Sequence, residues 1–217
     1  MISIAAVAVM AAFANPAVAM ITNPGFETGD FTGWRTRGQV GIVDGNVTPG
    51  RVHDGRYSAY IGTVDHNGND RNDYTGAAAT DDYRDHRLRQ RFNVSGMSAL
   101  NIWYNVYTWD YAPYDDPAFR ISLSGQPTFT LSAGDIDTDG GAGALENTGW
   151  QMYSYDLSGL SGNVVLNIYA GNTSDAQYQS WAYVDLVAVP VPEPATLLLL
   201  GVGLAGIAGF RRKIRSA

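Results

Sequence analysis

The sequence predicts an all-β fold, a jelly-roll β-sandwich of eight or nine strands. Three observations lead there. Between residues 20 and 190 no stretch carries a convincing amphipathic helical period. Short alternating segments rich in Val, Ile, Tyr, Phe and Trp recur instead. Gly, Asn, Asp and Ser clusters break them at turn-like intervals. That many short strands need two packed sheets to bury their apolar faces.

The expected strands are 40–43, 57–63, 87–94, 100–109, 118–124, 128–131, 150–157, 164–170 and 180–189. Ile102, Tyr104 and Val106 share one face of the fourth. The run 164–169 is more evenly apolar, as a central strand covered on both faces should be. Residues 65–86 are too polar for a core strand and too long for a tight hairpin, so they read as a functional or mobile loop.

The two ends differ from this body. Ile2 to Phe13 is a short apolar stretch followed by Asn15-Pro16 and the small residues Ala17-Val18-Ala19, which fits a signal peptide over residues 1–19 cleaved before Met20. No basic residue precedes that stretch, so either the free amine serves as its positive end or, the favoured reading, the chain starts upstream of Met1. Residues 191–217 hold Pro192-Glu193-Pro194, an uncharged apolar run over 195–210, and the basic cluster Arg211, Arg212, Lys213 and Arg215. The run is about the shortest helix that crosses roughly 30 Å of hydrocarbon. The cluster would keep the end cytoplasmic. The domains are therefore 1–19 signal peptide, 20–190 sandwich and 191–217 tail.

The body is about the size of one ordinary domain and has no cysteine, so its stability rests on its core and on any bound metal. It carries ten arginines against twenty acids, and the only lysine of the chain lies in the tail. That excess argues against a nucleic-acid partner, which needs a basic face. It fits a secreted, cation-binding surface.

One acidic segment stands out by spacing. Asp135, Asp137, Asp139, Gly140, Gly141 and Glu146 match a twelve-residue calcium loop. Asp135, Asp137 and Asp139 would ligate by carboxylate, Gly141 by its carbonyl, and Glu146 would close the site. Ala142 replaces the usual branched apolar residue, and strands rather than helices flank the loop. An EF-hand protein is excluded, and a calcium loop between strands or a solvated acidic loop remains.

A second group is aromatic. Trp109, Tyr111 and Tyr114 follow Trp103, Tyr104 and Tyr107 with aspartates interleaved, a mixture that suits sugar rings and hydroxyls. Alternating aromatics on a strand also serve as core and cross-strand pairs, which leaves Trp109, Tyr111 and Tyr114 as the carbohydrate candidates. No nucleophile elbow, phosphate loop or zinc pattern is present in the sequence.

The tail resembles the PEP-CTERM sorting tail of bacterial surface proteins. The resemblance implies an exosortase-type membrane partner acting near Pro192, Glu193 and Pro194, with delivery to the cell surface or matrix. The opening stretch Ile21–Trp34, the strand after Val52 and the closing Ser180–Val189 resemble galactose-binding-like jelly rolls, which include many carbohydrate-binding modules. That resemblance implies a structural calcium held by Glu27 and Asp185 with carbonyls near residues 54–56. Glu27 could instead only brace the Asn23-Pro24-Gly25 turn, and Asp185 could instead only pair with an arginine. The expectation is a non-catalytic surface protein that binds calcium and exopolysaccharide. The alternatives are a polysaccharide hydrolase or lyase on a jelly-roll scaffold, and a structural matrix protein without a ligand.

Overall fold

The computed structural model describes residues 21–62, 84, 86–114, 117–136, 144–173 and 178–188. The expected signal peptide, the tail, residues 63 and 64, and residues 65–83 and 85 of the long loop lie outside them. No helix among the described residues is long and apolar enough to cross a membrane.

Eleven strands are present among the described residues: β1 (Arg35–Arg37), β2 (Val40–Asp44), β3 (Tyr57–Gly62), β4 (Arg87–Asn93), β5 (Ala99–Thr108), β6 (Phe119–Leu123), β7 (Phe129–Leu131), β8 (Glu146–Asn147), β9 (Gln151–Asp156), β10 (Asn163–Ala170) and β11 (Ser180–Ala188). All nine expected strands appear within a residue or two of their limits. The two extra ones, β1 and β8, are only three and two residues long. Neither carries the apolar alternation by which a strand is recognised.

The strands form two antiparallel sheets. One runs β1-β4-β10-β6-β7; the other runs β2-β3-β11-β5-β8, with β9 also on β5. From β3 to β6 the chain alternates between sheets, the crossing pattern of a jelly-roll sandwich. Period-two alternation sets the two faces of every strand. On β5, Leu100, Ile102, Tyr104 and Val106 turn into the core; on β10, Val164, Leu166, Ile168 and Ala170 meet them. Each fully buried Leu or Ile contributes about 1.5–3 kcal/mol. The Tyr155 hydroxyl donates across the sandwich to the Ile121 carbonyl at 2.9 Å. That bond satisfies a polar group that burial would otherwise penalise.

The opening segment closes one end of this core. Phe26 is fully buried, 5.4 Å from the Trp34 ring. The Trp34 indole N–H donates to the Asn23 carbonyl at 3.1 Å. Gln90 receives the Thr22 N–H at 2.7 Å and donates to the Thr22 carbonyl at 3.0 Å, which ties the segment to β4.

Candidate functional site

The far face of the six-stranded sheet is not bare. Val43, Tyr60, Tyr107, Trp181 and Tyr183 form a second buried cluster there. The connection from β2 to β3 lies over it. The Arg51 guanidinium sits 4.2 Å from the Tyr107 ring centre and 5.2 Å from that of Tyr183. His53 stacks on Trp103 with ring centres 3.9 Å apart and meets Trp150 edge-on at 5.5 Å. The Trp150 indole N–H donates to the Gly50 carbonyl at 3.3 Å. Residues 45–56 also line an open cleft of about 360 Å³ that includes Asn46, His53 and Asp54.

Glu27 and Asp185 converge on the end of this connection, as their resemblance to a calcium pair implied. The groups they meet are different. Asp185 is fully buried, and its Oδ2 accepts the N–H groups of His53 at 2.8 Å and Asp54 at 2.9 Å. The Glu27 carboxylate accepts the N–H groups of Arg56 at 3.1 Å and Tyr57 at 3.0 Å. Gly55 lies between them at φ +71°, where a Cβ would collide with the Glu27 carboxylate. Four amide donors of one turn thus face two carboxylates. The Arg56 carbonyl, an expected ligand, accepts the Gly45 N–H at 2.8 Å. Calcium would need carbonyl oxygens beside the two carboxylates, whereas the groups that meet these carboxylates in this structure are N–H donors. The two carboxylates brace the turn directly.

The aspartate loop is described only at its ends. Asp137, Asp139 and Gly141 lie outside the described residues. Asp135 sits in a short 3-10 turn over Ala133–Asp135, and its Oδ2 accepts the Ser132 N–H at 2.8 Å and hydroxyl at 2.9 Å. Glu146 belongs to β8, opposite Thr108. Among the described residues no three His, Cys, Asp or Glu gather as a metal cluster.

The three carbohydrate candidates separate. Trp109 is half-buried and packs against the second cluster. Tyr111 and Tyr114 follow it around a turn with a cis Ala112–Pro113 bond. Tyr114 is 40% exposed and meets Tyr111 edge-on at 5.2 Å. Tyr178, which sequence reasoning missed, meets Tyr111 edge-on at 6.0 Å. Tyr178 is 64 positions from Tyr114, so only the fold brings the three rings together. Asp110 is buried beside them, and its Oδ1 accepts the Tyr111 N–H at 2.8 Å.

Residues 190–213 match the PEP-CTERM protein-sorting motif. The chain carries that sorting signal. It marks an exported, exosortase-processed surface protein. No curated protein matches the chain in sequence. Among solved structures, the K2 cleaved adhesin domain of Lys-gingipain is 16% identical at a TM-score of 0.43, covering 78% of this chain and 97% of its own. A carbohydrate-binding module specific for non-crystalline cellulose, CBM28, is 15% identical at 0.40, covering 79% and 95%. A family 35 carbohydrate-binding module from Clostridium thermocellum is 13% identical at 0.32, covering 72% and 95%. At such identities and scores the likenesses carry nothing about a ligand.

Proposed function

We propose that this PEP-CTERM protein is a non-catalytic surface protein whose sandwich binds glycan through the Tyr111–Tyr114–Tyr178 ledge. The observation that carries this reading is the exposed Tyr114 ring set edge-on to Tyr111, with Tyr178 behind. Aromatic rings present an apolar face and a polar hydroxyl together. That combination suits a sugar, whose C–H face and hydroxyl edge differ in the same way. Large, rigid rings also bind at low entropic cost.

Binding of the full chain to an array of neutral glycans tests the reading. A double Tyr111→Ala/Tyr114→Ala replacement should weaken any captured glycan at least tenfold, about 1.4 kcal/mol. Unchanged capture, or turnover of the captured glycan, would overturn it.

The tail supports a processing step. An exosortase-type membrane enzyme would act near Pro192, Glu193 and Pro194, with residues 195–210 in the membrane and Arg211, Arg212, Lys213 and Arg215 beyond it. Replacing Pro192, Glu193 and Pro194 together should leave the protein unprocessed, read as an unshifted mass in the membrane fraction.

A further inference from the structure

The chain is acidic overall, with a formal net charge of −7, yet its arginines are not scattered. On β4, Leu88, Gln90 and Phe92 are buried, which turns Arg87, Arg89 and Arg91 to the outer face of the five-stranded sheet. Pairing sets Arg35 directly opposite Arg89 and Arg37 opposite Arg87. Arg120 on β6 lies two strands further along the same face, beyond Tyr169. Six of the ten body arginines thus share one sheet face.

No residue on the outward positions of β1, β4, β10 or β6 is acidic. Among the described residues, no carboxylate reaches Arg35, Arg89 or Arg91. Arg87 lies over the Tyr169 ring at 5.9 Å. Like charges directly opposite across strands destabilise the pairing. A polyanion laid over them would turn that repulsion into attraction.

We propose that this outer face binds an acidic polysaccharide, a chain bearing carboxylate groups among free hydroxyls. Guanidinium forks pair with carboxylates in a bidentate way. Neighbouring strands lie about 4.8 Å apart, and alternate residues on one strand about 6.7 Å apart. The arginines therefore form a grid that can take successive carboxylates of an extended chain. Asn167 stands opposite Arg89 and Ser122 beside Asn167, which adds amide and hydroxyl groups for sugar hydroxyls.

A nucleic acid fits less well. The face is a sheet surface with Tyr169 as its aromatic ring, and Arg87 already lies over that ring, so no row of rings is offered for stacking bases. The sorting motif also places the protein at the cell surface.

This inference is independent of the tyrosine ledge, which lies on other elements. The test is retention of the detergent-solubilised full chain on immobilised polygalacturonate, with dextran as the uncharged counterpart. Retention is expected on polygalacturonate at low salt, absent on dextran, and lost at about 1 M salt, where screening acts within about 3 Å. The triple replacement Arg35→Gln/Arg89→Gln/Arg91→Gln should weaken it at least tenfold, and Arg56→Gln, off this face, should leave it unchanged. Should the triple variant fail to fold, Arg91→Gln, at the exposed end of the row, should weaken retention about threefold. Failure of wild type to bind, unchanged retention in the arginine variants, or equal retention on double-stranded DNA would overturn the proposal.

Discussion

Asp185 on the last strand accepts the backbone N–H of His53, 132 residues earlier, at 2.8 Å. The carboxylate is fully buried and takes the next N–H as well. Replacing it by alanine strands two donors, each costing about 1–3 kcal/mol when left unsatisfied. Asp185→Ala should therefore lose about 2–6 kcal/mol and several degrees of Tm. The calcium question enters through the same variant. If Asp185 ligated calcium, a chelator would erase most of the difference between wild type and variant. Thermal melts should show the same difference with and without chelator.

Gly55 and Gly50 offer a matched pair. Both have positive φ, +71° and +86°, so both resist a side chain through backbone strain. Only Gly55 also faces the Glu27 carboxylate; a Cβ at Gly50 would meet nothing within 4 Å. Gly50→Ala should cost about 1 kcal/mol from strain alone. Gly55→Ala should cost more, because Glu27 must give up its bonds to Arg56 and Tyr57. Chemical denaturation of the two variants measures the difference. Equal losses would mean that Glu27 does not hold the turn.

The sequence made the scaffold legible wherever alternation was strong. Ile102, Tyr104 and Val106 announce their strand, whereas Arg35-Thr36-Arg37 carries no apolar period and went unread. The meeting of Glu27 and Asp185 with the 53–57 turn was also legible. What they meet there was not, because the backbone angles around Gly55 decide whether N–H or carbonyl groups point at a carboxylate. Summed charge hid the arginine face. Arg87, Arg89 and Arg91 show the required spacing of two, yet Arg35 joins them only through strand register. Tyr178 likewise reaches Tyr111 only by folding.

Tyr114 should separate binding from stability. Its ring is 40% exposed. Surface replacements away from caps and core usually change stability by no more than about 0.5 kcal/mol. Tyr114→Ala should melt within about two degrees of wild type while losing glycan capture. A large drop in Tm would instead make the ring a structural prop.

High pH should unfold the sandwich through its buried phenols. Burial raises the pKa of Tyr155, with the neighbouring Tyr153 adding to the shift, and burial also raises Tyr104 and Tyr183. A raised phenol favours the protonated, folded form. Its contribution is complete below the unfolded value of about 10 and is lost as pH climbs from there toward the folded value. Stability should thus fall steeply above about pH 10. Tyr155→Phe removes one such group together with its bond to the Ile121 carbonyl. The variant should be weaker by about 0.5–1.5 kcal/mol at neutral pH. Its loss between about pH 10 and 12 should be smaller than that of wild type, by up to one proton's worth of slope. Denaturant midpoints measured across that range decide the matter, and parallel curves would show that Tyr155 ionises as readily in the folded chain as in the unfolded one.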